Sequence, residues 1–549
     1  MAEGTVKLTI DGREVEVPRG TNVVEAAKKA GVEIPHYCYH PKLPIAGNCR
    51  MCLVSLGMPK MTPERKPELD AEGKPVIAFM PAPQIGCNTM AAEGMVVQTR
   101  TPAIIKARQG VMEFLLINHP LDCPICDQAG ECRLQEFAVD YGKGASRFIE
   151  EKVHKPKQVE LNAKITLDNE RCIMCSRCER FMRHVAGQDC LGFVQRGSHT
   201  ELTCYPGQEP KTNYDLNIVD ICPVGALTST DFRFRQRAWF LKETKSICPS
   251  CATGCNTVVA AREGEVLRQT PRDNEAVNQC WMCDYGRLNY KFINDPQRLQ
   301  APLLRQQPVE WQAALGQAVQ ALRGARGAVA AVGSARATTE ELFLFNRLTR
   351  QVLGASLVDC VPRQGEADHL LLNADRNPNS RGASLTGVAA EPLGSQLGAI
   401  AQGIGEGRIK ALLVLGEDVT KCGIGPELLA KLEALVVIDI LPNATVKLAQ
   451  VVLPGASFAE KRGSFINAKG RLQRFNAAIQ PAGEARPDWQ ILAALLRSLD
   501  PAEDFSTLEG VFAQLAQEQP VLAGLSLSRI GDQGIQLDTE AAAAPVAAG

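Results

Sequence analysis

Features that would assign a chain to a membrane or to nucleic acid are missing from this sequence. No apolar run approaches the roughly 20 residues that a membrane-spanning helix needs, and the formal net charge is only −1. This balance gives no electrostatic basis for binding nucleic acid or an anionic membrane surface. The first residues, MAEGTVKLTIDG, enter an alternating strand pattern at once. We therefore expect no signal peptide and a cytoplasmic location.

Disulfide bonds are also disfavoured, although the chain has 20 cysteines among its 549 residues. In a large chain without a signal peptide, clustered cysteines more often bind metals or act in catalysis. Fifteen of the cysteines fall into four groups along the first half of the sequence, and only Cys360 and Cys422 follow residue 300. The length allows roughly three or four domains of about 150 residues each.

The densest group combines one histidine with three cysteines, in the order His119-x3-Cys123-x2-Cys126-x5-Cys132. Three thiols and an imidazole placed this close together do not suit an ordinary packed core, but they can surround a metal centre. Alone, His119 would be interpreted as a polar residue at a helix end. The three cysteines that follow it favour a role as a ligand instead.

The group that comes first in the sequence predicts a binuclear cluster in a β-grasp ferredoxin domain. Its members are spaced Cys38-x10-Cys49-x2-Cys52-x34-Cys87. One close pair with outliers on both sides is typical of a 2Fe–2S loop, although the plant-type loop has x4 in place of x10. Structural zinc sites usually use two close pairs, so zinc and free core thiols are the weaker alternatives.

Local patterns around this group support the β-grasp prediction. Residues 5–17 predict a hairpin that turns at Asp11-Gly12, followed by a short helix capped by Thr21 and ended at Gly31. The segment Pro59–Pro83 is predicted to be an inserted surface loop. A helix is predicted over residues 102–117, with an apolar side formed by four residues: Ile105, Val111, Phe114 and Leu115.

The third and fourth groups each predict a cubane cluster. Their members are Cys172, Cys175, Cys178 and Cys222, and then Cys248, Cys251, Cys255 and Cys283. Three close thiolates with one remote cysteine resemble the bacterial ferredoxin arrangement, in which the remote cysteine precedes proline, as Cys222 does here. Spacing alone leaves Cys280 as a competitor of Cys283. Cys190 and Cys204 have no close cysteine partner in the sequence and are interpreted as structural thiols.

From about residue 300 the pattern changes to helices that alternate with short apolar strands. Strands are predicted at Ala328–Val332, Leu412–Leu415 and Leu435–Ile440, and the last two show no polar alternation. A helix is predicted from Thr338 to Leu353, with a capping box formed by Thr338 and Glu341. These elements predict an α/β domain with a mainly parallel sheet.

Taken together, the four groups resemble the large iron–sulfur subunit family of NADH:quinone oxidoreductase, respiratory complex I. The order of a 2Fe–2S site, a cubane with one histidine ligand and two all-cysteine cubanes is similar from Cys38 to Cys283. Four later segments resemble the molybdopterin oxidoreductase superfamily: Val451–Pro454, Phe465–Asn467, Gly470–Arg474 and Arg486–Trp489. In that superfamily the last cubane ligand is followed by a segment ending in Gly-Arg, which favours Cys283 over Cys280.

The resemblance implies an electron-transfer subunit with no substrate site of its own. It would carry one 2Fe–2S and three 4Fe–4S clusters and pass electrons from a flavin-bearing, NADH-oxidising subunit through further iron–sulfur subunits toward quinone. It would belong to a peripheral arm at the cytoplasmic face of the inner membrane, without spanning the membrane. The fourth cluster occurs in only some members and would lie off the main electron path.

Two features argue against a bound molybdopterin. Tyr285 stands where enzymes with a working pterin usually have lysine, and neither Cys360 nor Cys422 belongs to a convincing Cys-His pair. The alternatives are a molybdopterin-dependent formate dehydrogenase or related NAD-linked catalytic subunit, an iron hydrogenase, and a structural zinc protein. The hydrogenase would need further cysteines in the second half of the chain.

The predicted fold class is α+β in the cluster-binding half, followed by an α/β domain of molybdopterin-oxidoreductase type. The expected domains are a β-grasp 2Fe–2S domain (1–90), a 4Fe–4S domain with one histidine ligand (91–140), a ferredoxin-like 4Fe–4S domain (141–240), a further 4Fe–4S domain (241–300), the α/β domain (301–535) and a disordered tail (536–549).

Overall fold

The computed structural model describes residues 4–389 and 391–538, which divide into two compact units with the boundary between Phe240 and Leu241. Most of the predicted disordered tail, from residue 539 onward, lies outside the described residues. Across the described ranges, no helix has the length and apolar character required to cross a membrane.

The first unit is built from small sheets and short helices. Its strands are β1 (Thr5–Ile10), β2 (Arg13–Pro18), β3 (Leu53–Pro59), β4 (Ile77–Phe79), β5 (Gln84–Ile85), β6 (Met95–Gln98), β7 (Val159–Asn162), β8 (Ile165–Leu167), β9 (Leu191–Val194), β10 (Glu201–Cys204) and β11 (Leu227–Ser229). Its helices are α1 (Val23–Lys29), α2 (Pro102–Leu116), α3 (Arg133–Tyr141), α4 (Arg177–His184) and α5 (Asn217–Asp220).

The first sheet has the mixed topology of a β-grasp domain. Its strand order is β2-β1-β6-β3-β4, with β5 paired to β3, and β1 runs parallel to β6. The predicted hairpin is confirmed, because β1 and β2 pair in antiparallel register around Asp11-Gly12. Part of the predicted Pro59–Pro83 loop is instead strand β4, which pairs with β3.

The predicted cap of α1 is wrong by one residue. Asn22 is the N-cap, and its Oδ1 accepts a hydrogen bond from the Glu25 N–H at 3.0 Å. The Thr21 hydroxyl donates to the Pro18 carbonyl and so is already used in the preceding turn. Gly31 follows the end of the helix with φ of 70°, a left-handed conformation that favours glycine.

The bounds predicted for α2 are confirmed to within a residue, but its predicted apolar side is not the buried one. The buried residues are Ile104, Arg108 and Met112, which recur every four positions, whereas Ile105 and Phe114 are exposed. Arg108 is buried because its guanidinium donates to the Tyr141 hydroxyl and to a backbone carbonyl. A pattern of apolar residues cannot reveal a buried arginine of this kind.

The second unit begins with a three-stranded sheet and continues into a larger α/β domain. Its strands are β12 (Lys242–Ile247), β13 (Asn256–Arg262), β14 (Glu265–Pro271), β15 (Leu303–Leu304), β16 (Gln307–Pro308), β17 (Val329–Gly333), β18 (Leu357–Cys360), β19 (Ala411–Leu415), β20 (Ala434–Asp439), β21 (Val451–Pro454), β22 (Gly463–Ile466), β23 (Arg471–Phe475) and β24 (Ile535–Gln536). Its helices are α6 (Asp284–Leu288), α7 (Trp311–Gly324), α8 (Thr339–Asn346), α9 (Ser380–Leu385), α10 (Leu397–Gly405), α11 (Pro426–Leu429), α12 (Ala444–Leu448), α13 (Asp488–Leu499) and α14 (Leu508–Glu518).

A seven-stranded sheet forms the centre of this unit, in the order β16-β15-β21-β20-β19-β17-β18. The five strands from β17 to β21 are parallel to one another, as the sequence predicts. At one edge, β15 pairs antiparallel with both β21 and β16. Alternate residues enter different cores: Leu413 and Val436 pack on one face, and Leu412 and Val437 on the other. The absence of polar alternation in these strands follows from burial on both faces.

The predicted capping box on α8 is confirmed. The Thr338 hydroxyl accepts from the Glu341 N–H, and the Glu341 carboxylate accepts from the Thr338 N–H. A π-helical segment, Arg347–Val352, continues the helix almost to the predicted end at Leu353.

Candidate iron–sulfur sites

The Cys38 set (Cys38, Cys49, Cys52 and Cys87) lies in the β-grasp part of the first unit. Hydrogen bonds between side chains join Cys38 to both Cys49 and Cys87, and join Cys52 to Cys87, so all four sulfurs converge. The hydrogen bond from Cys49, followed by that from Cys87, lowers the pKa of the Cys38 thiol. The same hydrogen bonds raise the pKa values of Cys49 and Cys87, so the thiolate is favoured at Cys38 and the thiol at its two partners.

The backbone around this set lets two cysteine-bearing loops approach each other closely. The Gly86 N–H donates to the Cys52 carbonyl at 3.0 Å, and a Cβ at position 86 would lie only 3.0 Å from that oxygen. Glycine therefore lets the Cys87 turn lie directly against the Cys49–Cys52 loop. Arg50, within that loop, adopts a left-handed conformation with φ of 60°.

The His119 set (His119, Cys123, Cys126 and Cys132) lines one cavity of about 840 Å³ between α2 and α3. Cys123 is exposed, whereas Cys126 and Cys132 are buried. The Nδ1 atom of His119 is buried and has no hydrogen-bond partner among the described residues. Burial, with a smaller contribution from the charge of Arg171, lowers the pKa of His119 to about 4. Its imidazole is therefore neutral near pH 7 and able to ligate iron.

The loop of the His119 set is anchored by residues far away in the sequence. Arg237 donates to the carbonyl of Cys126 at 2.8 Å and also to that of Pro124. The Asp127 carboxylate accepts from the Phe234 N–H at 3.0 Å. Sequence analysis missed Arg237, and no local pattern could have identified it, because it lies 111 positions from Cys126.

The Cys172 set (Cys172, Cys175, Cys178 and Cys222) lines a small enclosed pocket. Burial raises the pKa of Cys172 to about 12 and that of Cys175 to about 11. The intervening residues Met174 and Ser176 both have left-handed backbone conformations, with φ of 54° and 57°. This folding turns the close cysteines toward the same pocket, which Cys222 enters from the end of α5.

The Cys248 set (Cys248, Cys251, Cys255 and Cys283) is buried in the second unit. The Cys283 sulfur caps α6 by accepting from the Gly286 N–H at 3.3 Å. A Cβ on Gly286 would lie 2.8 Å from the Cys248 sulfur and 3.4 Å from the Cys283 sulfur. These two sulfurs therefore share one small space.

The other cysteines differ in their surroundings. Cys280 is only partly buried, and Cys190 is fully buried beside strand β9. In the second unit Cys360 is buried at the end of β18, and Cys422 lines a separate cavity.

The donor sets fit iron–sulfur clusters by their chemistry. Each set directs several sulfurs, most of them buried or partly buried, toward a common space. The His119 set adds a neutral imidazole whose buried nitrogen lacks a partner among the described residues. Within residues 4–389 and 391–538, no three His, Cys, Asp or Glu side chains form a preformed site for a single metal ion. The cluster assignment therefore depends on which sulfurs converge.

A cavity of about 680 Å³ opens at the carboxyl ends of the parallel strands in the second unit. Open α/β sheets commonly bind ligands at this edge. Its lining includes Arg363 and Glu417, which form a bidentate ion pair, together with Lys461 and Asp488. Cys422 is the one thiol in the described lining.

Family models match successive parts of the chain. In order they are a 2Fe-2S iron-sulfur cluster binding domain (3–102), the NADH-ubiquinone oxidoreductase-G iron-sulfur binding region (108–147), the ferredoxin-like domain of NADH-quinone oxidoreductase subunit 3 (162–228), an NDSU1/NuoG-like 4Fe-4S domain (241–291) and molybdopterin oxidoreductase (356–498). The chain is thus an iron–sulfur protein with a C-terminal domain of molybdopterin-oxidoreductase type.

Comparison with whole proteins identifies the family. The G subunit of NADH-quinone oxidoreductase from Rickettsia felis is 31% identical, over 95% of this chain and 91% of the relative. The chain belongs to this family of NADH-quinone oxidoreductase G subunits. The relative of the same name from Streptomyces coelicolor is 38% identical over 70% of this chain, but the match spans only 44% of that longer protein. The solved NAD+-reducing hydrogenase in its H2-reduced state is 28% identical over 42% of this chain and 91% of its own, with a TM-score of 0.34.

Proposed function

We propose that this chain is the electron-relaying iron–sulfur subunit of an NADH:quinone oxidoreductase. It receives electrons from a flavin-bearing, NADH-oxidising subunit and passes them through further iron–sulfur subunits toward quinone. It acts at the cytoplasmic face of the membrane as part of a larger complex. The observation that carries this proposal is the convergence of four donor sets, three of them within the first unit.

The proposed ligands are the four sets defined above. One 2Fe–2S cluster is held by the Cys38 set, and one 4Fe–4S cluster by each of the His119, Cys172 and Cys248 sets. When bound, such clusters supply one-electron carriers whose potentials depend on net charge, hydrogen bonds and solvent exposure. The chain itself contributes thiolates, one imidazole and a buried environment.

Contacts in the first unit support an order of relay that differs from the order in the sequence. The Cys172 set is linked to the Cys38 set, because Arg180 donates to the carbonyls of both Cys38 and Cys175. It also lies beside the His119 set, because a Cβ on Gly225 would be only 2.2 Å from the Cys126 sulfur. We propose that electrons pass from the Cys38 set to the Cys172 set and then to the His119 set.

A molybdopterin-dependent formate dehydrogenase is the second candidate, and the 680 Å³ cavity at the edge of the sheet favours it. We do not prefer it, because Tyr285 replaces the lysine expected between cluster and pterin, and Arg376 lies over its ring at 5.3 Å. We propose that no molybdopterin is bound. Molybdenum or tungsten in stoichiometric amount would overturn this choice.

The relay is tested with the variant Cys175→Ser in the assembled complex, with Cys190→Ser as the matched control. Both cysteines are buried in the first unit, but only Cys175 belongs to a donor set. We expect Cys175→Ser to abolish electron transfer from NADH to quinone while flavin reduction by NADH continues. Cys190→Ser should retain both reactions. Full quinone reduction by Cys175→Ser would contradict the proposal.

A further inference from the structure

Helix α4 begins inside the Cys172 set and carries two arginines that reach the loop of another donor set. Arg180 is buried, and its Nη2 atom donates to the Cys38 carbonyl at 2.6 Å and to the Cys175 carbonyl at 3.2 Å. Its Nη1 atom donates to the Pro44 carbonyl, further along the loop that follows Cys38. One guanidinium therefore joins ligand residues of two sets.

Arg177 makes a second bridge of the same kind. Its Nη1 atom donates to the Ile221 carbonyl at 3.1 Å, next to Cys222, and its Nη2 atom donates to the Tyr39 carbonyl, next to Cys38. Its Nε atom is buried and lacks a hydrogen-bond partner among the described residues. This unused donor lies on a side chain that spans the two sets.

Electrostatics distinguish these arginines from the others on the helix. Among the described residues, neither Arg177 nor Arg180 pairs with a carboxylate, whereas Arg183 pairs with Glu179 and Asp189 at the surface. Both guanidinium groups instead donate to backbone carbonyls in the loops of the two donor sets. A guanidinium remains charged in proteins, and its effect is stronger in a buried site than in water.

We propose that Arg177 and Arg180 are positioning residues shared by two cluster sites, and that they raise the reduction potentials of both clusters together. This inference rests on the proposed function, since it requires a cluster in the Cys38 set and another in the Cys172 set. Reduction adds negative charge to a cluster, and a nearby buried cation stabilises that charge. Because the two arginines contact both loops, removing one of them changes both sites.

The test is a redox titration of the full chain within its complex, followed by electron paramagnetic resonance. Arg180→Gln and Arg177→Gln are compared with Arg183→Gln, which removes the same charge from the exposed side of the helix. For each of the first two variants we expect the ratio of reduced to oxidised cluster at a fixed solution potential to fall about tenfold at both sites. For a one-electron couple this equals about 59 mV toward lower potential. Arg183→Gln should change the ratio less than about twofold.

The outcomes separate this inference from the proposed function. If the unmodified chain lacks the two cluster signals, the proposed function fails. If the signals are present but their potentials do not change, or only one of them changes, the shared role is wrong. If Arg180→Gln does not load its clusters, Arg180→Lys is measured as well. Loss of both cluster signals in Arg180→Gln, with both recovered in Arg180→Lys, supports the shared role. Loss of one signal, or no recovery in Arg180→Lys, contradicts it.

Discussion

At the scale of single residues, Gly225 determines how closely two of the proposed cluster sites approach. A Cβ at this position would lie 2.2 Å from the Cys126 sulfur and 3.1 Å from the Gln128 Cβ, well inside van der Waals contact. We expect Gly225→Ala to displace Cys126 and to remove the cluster of the His119 set, although no ligand is changed. Iron analysis should show a loss of about four iron atoms per chain, the content of one cubane.

Gly110→Ala is the control for this variant. Gly110 lies in α2, and a Cβ there meets no atom within 4 Å. Its alanine variant should keep the full iron content, because alanine is favoured over glycine within a helix. A full iron content in Gly225→Ala as well would show that the close contact with Cys126 is unimportant.

The four donor sets are predicted from residue types and spacing, because ligands of one cluster must be close in space and often lie close in sequence. Their role as cluster ligands stays a prediction. The residues that support these sets were harder to predict from the sequence. Arg177 and Arg180 stand beside Cys175 and Cys178 in the sequence, but their contacts with Tyr39 and Cys38 require the folded chain. Gly225 gave no signal, since its neighbour Cys126 belongs to a different loop.

At the scale of secondary structure elements, a buried lysine joins the beginnings of two helices in the second unit. The Lys461 ammonium pairs with Glu341, in the first turn of α8, at 2.8 Å and with Asp488, the first residue of α13. All three side chains are buried. We expect Lys461→Met to destabilise this unit by about 3–5 kcal/mol, because it leaves two buried carboxylates without their cation. Thermal unfolding followed by calorimetry measures the change.

Arg462→Met is the matched control for this ion pair. Arg462 is the neighbouring residue, and its pair with Glu509 is exposed. Exposed pairs of this kind contribute about 0–1 kcal/mol, so its unfolding temperature should change little. Equal destabilisation by the two variants would refute the importance of the buried network.

Elements with a strong local signal were predictable from the sequence. The capping box of Thr338 and Glu341 formed as expected, and so did strands β19 and β20, which lack polar alternation. Where tertiary contacts decide, the predictions failed: Asn22 replaces Thr21 as the cap of α1, and Arg108 occupies the buried side of α2. The partner of Glu341 also could not be predicted from the sequence, because Lys461 lies 120 positions away.

At the scale of the whole molecule, the described residues combine a cluster-binding unit with a second unit that contains one more donor set and an α/β domain. The first unit concentrates three donor sets around short loops that are held by arginines and glycines. The second unit retains a cavity at the edge of its parallel sheet. The central claim is that this chain is an iron–sulfur relay without a molybdenum site.

The most direct test is low-temperature electron paramagnetic resonance of the anaerobically purified chain during stepwise reduction, with metals counted in parallel. The account predicts one binuclear and three cubane clusters, together about 14 iron atoms per chain, without molybdenum or tungsten. Stoichiometric molybdenum would instead indicate a catalytic pterin enzyme. Zinc in place of iron, without cluster signals, would contradict the relay altogether.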